Sequence, residues 1–132
     1  MREQPSAAEL VEAVAEFLQR EIASQLSGRA AFHARVAVNV LNIVRRELAL
    51  APAADRAEAA RLAVLLGAGG DAEALNEELC RRIAAGEIAA DDPALLEHLW
   101  STVLDVLAVD QPSYATYRRE TAPPSDEPGD AP

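Results

Sequence analysis

Arg35, Asn39, Asn42 and Arg46 follow one another at intervals of four, three and four, which lays them along one stripe of a helix. They stand in FHARVAVNVLNIVRREL, the most apolar run of the chain, with His33 close before them. The chemistry open to such a row is recognition, because arginine presents a planar fork of donors and asparagine both a donor and an acceptor. Three readings compete. The row is the solvent face of a broad amphipathic helix, or a buried seam that fixes helix register, or a surface that meets a partner protein or an anionic ligand. A hairpin turning at Gly28 brings Glu21 near Arg35, and Glu9 or Glu12 near Arg46, as ion-pair partners. His33 falls in the first turn of its helix, where the dipole disfavours positive charge, so a neutral imidazole is expected. No positioned nucleophile accompanies it, so it is a binding candidate and not a base.

Other constellations fail on geometry. Gly67, Gly69 and Gly70 stand before a helix, but a phosphate loop follows a strand and ends in Lys with Ser or Thr. Here Asp71 takes the anion position at the helix start. His98, Ser101, Thr102 and Asp105 lie along one helix and do not converge from different elements as a triad must; they are expected on a solvated face. Two histidines and one cysteine in the whole chain make a His- or Cys-based metal site improbable. Cys80 beside Leu75, Leu79 and Ile83 is expected to be a half-buried, inert thiol.

The elements that hold these residues are helices. Apolar residues recur at three and four, Ala, Leu, Glu and Arg dominate, and no segment alternates as a strand does. Ser6 and Glu9 form a capping box for a first helix running to about Leu26, with Leu10, Val14, Phe17, Leu18, Ile22 and Leu26 as its inward stripe. A second helix spans roughly Ala30 to Leu50, ending before Pro52. A third runs from Asp55 to Gly67, and a fourth from Asp71 to Gly86 with Glu77/Arg81 and Glu78/Arg82 as outer pairs. Asp92 and Pro93 open a fifth, whose core face is Leu96, Leu99, Trp100, Val103, Val106 and Leu107. The expectation is an all-α bundle of about five helices over residues 1–120. A Pro-rich acidic segment, 121–132, is expected to be a disordered tail, with Tyr114 and Tyr117 folding back on the bundle.

The totals narrow the function classes. The 132 residues carry a net charge of −10 with a pI near 4.6, a field that repels phosphate backbones and anionic lipid. Nucleic acid and membrane are therefore not expected partners. The N-terminus places Glu3, Glu9 and Glu12 where a signal peptide needs an apolar core, and a single cysteine suits a reducing cytoplasm.

The run from Gly28 to Leu48, the start PSAAELVEAVAEFL and the later LAVDQPSY together resemble an uncharacterised bacterial domain of unknown function. The resemblance spans roughly Pro5 to Tyr117. It implies small helical proteins encoded beside aminoglycoside-phosphotransferase-like kinases and acyl-CoA dehydrogenases, without a catalytic motif or a cofactor. Members carry Asn before the late proline where this chain has Gln111, so a side-chain cap of that turn is not carried over. The function expected on these grounds is that of a non-catalytic accessory or adaptor protein binding such a kinase or dehydrogenase. Its binding residues would be His33, Arg35, Asn39, Asn42 and Arg46. The alternative is a module holding an acyl or acyl-CoA-like ligand between helices, with Arg35 or Arg46 meeting its acid groups.

Overall fold

The computed structural model describes residues 4–124, and among these there are five α-helices and no strand. The first, α1, spans Ala7–Phe17. Its capping box forms as expected: Ser6 Oγ accepts from the Glu9 N–H at 3.2 Å, and Glu9 Oε2 accepts from the Ser6 N–H at 2.7 Å. That hydrogen bond from the Ser6 backbone, joined by the one from its side chain, holds the Glu9 carboxyl below the usual carboxylate range. The expected run to Leu26 keeps its direction but not its winding. A wide π turn, Leu18–Ile22, and a 3₁₀ turn, Ala23–Gln25, finish it before Leu26 becomes extended.

Helix α2 is the main departure from expectation. It runs without a break over Gly28–Leu66, 39 residues with Pro52 inside, so the two helices expected on either side of Pro52 are one. At 1.5 Å per residue it is about 58 Å long. A proline in a helix interior removes one hydrogen bond and clashes with the preceding turn, which normally ends the helix. Here the flanking ALAPAADRAEAA consists largely of strong helix formers. A later helix also lies alongside the weak point, its Thr102, Asp105, Val106 and Val109 facing Glu47, Ala51, Ala54, Asp55 and Glu58 across a shallow groove. Tertiary packing splints what local preference would break.

Gly67 ends α2 in the left-handed region, φ 62°, where a side chain would be strained. Helix α3, Ala72–Ala84, starts at Asp71, whose Oδ1 accepts from the Ala74 N–H at 2.9 Å. Helix α4, Pro93–Asp110, starts at Asp92, whose Oδ1 accepts from the Leu95 N–H at 3.0 Å. A short α5, Ala115–Thr121, follows, and Ala122 is already extended. The tail expectation otherwise falls on residues 125–132, outside the described ones.

Helices α1, α3 and α4 each pack against α2, which is the spine of the protein. The main core lies at the C-terminal half of α2, where Leu62, Leu66, Leu75, Leu79 and Leu95 meet from α2, α3 and α4. Arg82 pins this end: its Nη1 donates to the Leu66 carbonyl at 2.9 Å, one of the last-turn acceptors that α2 cannot satisfy itself. The same arginine and Arg81 both bond Glu78, at 2.7 and 2.8 Å, and hold its carboxyl down at about 2. The outer pairing is therefore centred on Glu78, and Arg81 turns to Glu78 and Glu87 where Glu77 was expected. At the other half of α2 the buried residues are few, chiefly Ala15 and Val38.

Candidate functional site

The structure gathers four of the five expected binding residues. Arg35 and Asn39 are exposed, while Asn42 and Arg46 are half-buried, so the row is graded along α2. It borders two open clefts that meet at Asn39. One, of about 270 Å³, is walled by Gln19 and Ala23 from the two turns after α1, with Arg35, Val38 and Asn42 opposite. The other, of about 700 Å³, runs from Asn39, Ile43 and Arg46 to the α4–α5 turn at Asp110, Pro112 and Tyr114.

The end of the row is structural. Arg46 Nε donates to the Val109 carbonyl at 2.6 Å, meeting an acceptor in the last turn of α4 and fixing that helix against the middle of α2. Its expected partnership with Glu9 or Glu12 does not occur. Glu12 pairs instead with the neighbouring Arg45, at 3.8 Å, because Arg45 and not Arg46 lies on the side of α2 that α1 covers. Nor does Arg35 pair with Glu21 among the described ion pairs. Arg35 and Asn39 are left facing solvent at the mouth of the clefts.

His33 is not part of the row. At 100° per residue it projects well round the helix from Arg35 and Asn42. Its Nε2 accepts from Arg29 Nε at 3.2 Å, and its ring meets Phe32 edge-on at 5.6 Å.

A second group departs from expectation. His98, expected on a solvated face, is 4% exposed and faces α2. Arg61 reaches it from α2, donating from Nη2 to Asp105 Oδ2 at 3.2 Å and to Thr102 Oγ1 at 3.4 Å; Thr102 in turn donates to the His98 carbonyl at 3.1 Å. Leu95, His98, Thr102, Asp105 and Val109 follow at three, four, three and four, so the signal was present. It was masked by a second, more apolar stripe on the adjacent side of α4. That stripe, Leu96, Leu99, Trp100, Val103 and Val106, expected to be core, is between 43% and 54% exposed. Likewise Leu10, Val14 and Phe17 of α1, expected to point inward, are half-exposed, and Cys80 is exposed.

The His98 group does not form a charge-relay arrangement. The carboxylate that could orient the imidazole, Asp105, is held by Arg61, and His98 Nδ1 is buried without a partner. Desolvation lowers the His98 pKa, the Arg61 charge adds to that, and Glu58 opposes it. The sign follows from linkage: the unfolded chain binds this proton more readily than the folded one, so stability is full above the ordinary value of 6.5 and declines as pH falls through and below it. Urea melts from pH 7.5 to 5.0 should show that decline, and His98→Gln should flatten it. An unchanged slope would mean that the imidazole is solvated. Among the described residues no three of His, Cys, Asp and Glu converge on a metal position.

Fold and surfaces together define an all-α protein organised on one long helix, with open clefts and uncovered apolar stripes. The chain belongs to the family described as a domain of unknown function, DUF6285, whose model matches residues 24–114. That span is narrower than the resemblance from Pro5 to Tyr117: it takes in α2, α3 and α4, with the row and the His98 group, and leaves α1 and α5 outside. No curated protein and no solved structure matches the chain. No helix of the described residues is long and apolar enough to cross a membrane.

Proposed function

We propose that this protein is a non-catalytic accessory subunit that docks on a larger metabolic enzyme, a phosphotransferase-like kinase or an acyl-CoA dehydrogenase. The observation that carries the reading is the second stripe of α4. Leu96, Leu99, Val103 and Val106 are spaced three, four and three, the seam a helix offers to another helix, and Trp100 lies beside it. A folded chain that needs no partner does not usually leave such a contiguous apolar face half-bare. Arg35 and Asn39 on α2 are open polar groups available to a second contact with the same partner.

The ligand-carrier alternative called for an enclosed pocket with a free arginine. The larger cleft at the row is open, Arg46 is engaged with the Val109 carbonyl, and Asp110 on its wall opposes an acidic ligand. These features give the docking reading precedence.

Affinity capture of the tagged protein from its native host, beside a Trp100→Asp variant shown by circular dichroism to be folded, tests it. Stoichiometric recovery of a kinase-like or dehydrogenase protein is expected. Loss of a buried aromatic anchor should weaken that binding by about 30-fold or more. Recovery of the bait alone, or capture indifferent to Trp100, would overturn the assignment.

A further inference from the structure

A different surface, on the N-terminal half of α2, carries an inference that does not rest on the docking reading. Phe32, Val36, Val40, Val44 and Leu48 recur every four residues and form one continuous ridge, each between 40% and 55% exposed. It stays half-bare between its neighbours: α1 packs on the Val38 and Arg45 side of α2, and α4 runs beside the C-terminal end of the ridge, its last turn and the turn after it reaching Glu47, Ile43 and Asn39.

The ridge reads the same in both directions. About Val40, Phe32 mirrors Leu48, Val36 mirrors Val44, and His33 mirrors Glu47. A two-fold axis perpendicular to α2 at Val40 therefore sets each residue of one copy against its counterpart in the other, as an isologous interface requires. The chemistry matches as well as the shape. His33 Nε2 is occupied as an acceptor from Arg29, so its other nitrogen is the donor, and the residue it would meet is the Glu47 carboxylate. Sizes follow the geometry of ridge-into-groove packing, in which helices cross at about −50° and are closest at the centre. Valines occupy that centre, the small Ala37 leaves a groove beside them, and the larger Phe32 and Leu48 lie where the axes diverge.

The accessible surface points the same way. It is 9769 Å², against about 6,700 Å² for a compact monomer of this mass. Granting each residue outside 4–124 the full exposure of an unfolded chain, about 160 Å², still leaves an excess of about 1,300 Å². A standard interface needs about 800 Å² from each partner.

We propose that the protein is a two-fold symmetric dimer in which the α2 helices of two copies cross antiparallel at Val40, with His33 of each copy bonded to Glu47 of the other. Sedimentation velocity at micromolar concentration should find a dimer, and Val40→Asp, which puts two carboxylates on the axis, should give a folded monomer. Glu47→Lys should weaken association by about tenfold, and adding His33→Glu should restore it, since the pair is reversed and not removed. In a Cys80→Ser background, oxidation should cross-link Val40→Cys and leave Val64→Cys, 86% exposed near the far end of α2, uncoupled. A wild-type monomer, a dimer that survives Val40→Asp, or equal cross-linking at both positions would overturn the proposal. The cross-linking arm keeps it testable if Val40→Asp does not fold.

Discussion

Leu62→Ala should lower the stability of the protein by about 3–5 kcal/mol, a large part of the ~5–15 kcal/mol that holds a domain of this size folded. Leu62 is completely buried, and it sits where α2, α3 and α4 meet with Leu66, Leu75, Leu79 and Leu95. Truncation there removes the transfer free energy of three carbons and leaves a void that helices anchored from three directions cannot close. The core is small, which sharpens the effect: outside that cluster the buried apolar residues among the described ones are Ala15, Val38 and Val109. Thermal and urea melts should show a fall in Tm of about 10–20 °C. Val64→Ala, on the exposed side of the same helix, should change stability by less than about 0.5 kcal/mol. Equal effects at the two positions would mean that α3 and α4 do not dock on α2 as described.

Pro52→Ala should act in the opposite direction, stabilising the protein by about 2–3 kcal/mol. Proline in a helix interior is about 3 kcal/mol less favourable than alanine, since it has no N–H to give the carbonyl of Leu48 and its ring crowds the preceding turn. Pro52 is exposed within α2, so its replacement removes no packing. The restriction that proline places on the unfolded chain offsets part of the gain, which is why the full difference is not expected. A rise in Tm of about 10 °C is the measurable outcome. If Pro52→Ala instead destabilised the protein, α2 would not be one continuous helix in solution, and two helices meeting at Pro52 would be the better description.

The places where sequence reading succeeded were those decided by neighbours in the chain. Ser6 with Glu9, Asp71, Asp92 with Pro93, and Gly67 set helix ends through hydrogen bonds spanning three residues or through one residue's permitted φ, and all four act as expected. The all-α class followed from periodicity in the same way. The row on α2 was also legible, because its spacing alone puts Arg35, Asn39, Asn42 and Arg46 on one stripe.

Reading failed where a helix had more than one way to face inward. Helix α4 carries two stripes, and apolar content favoured Leu96, Leu99, Trp100, Val103 and Val106. The structure buries the other, because Arg61 on α2 offers Asp105 and Thr102 partners that would otherwise be lost. Pro52 misled for a related reason: its local penalty is real, but α4 faces the adjacent Ala51, Ala54 and Asp55 along the same stretch of α2 and outweighs it. The sequence by itself determined the helices, their caps and the charge of the surface, since these depend on forces acting within a turn or two. Only the tertiary structure decided which apolar faces are covered, whether α2 continues through Pro52, and that Arg46 secures Val109 while Arg35 stays open. Those outcomes depend on free-energy differences between whole packing arrangements, to which residues dozens of positions apart contribute together.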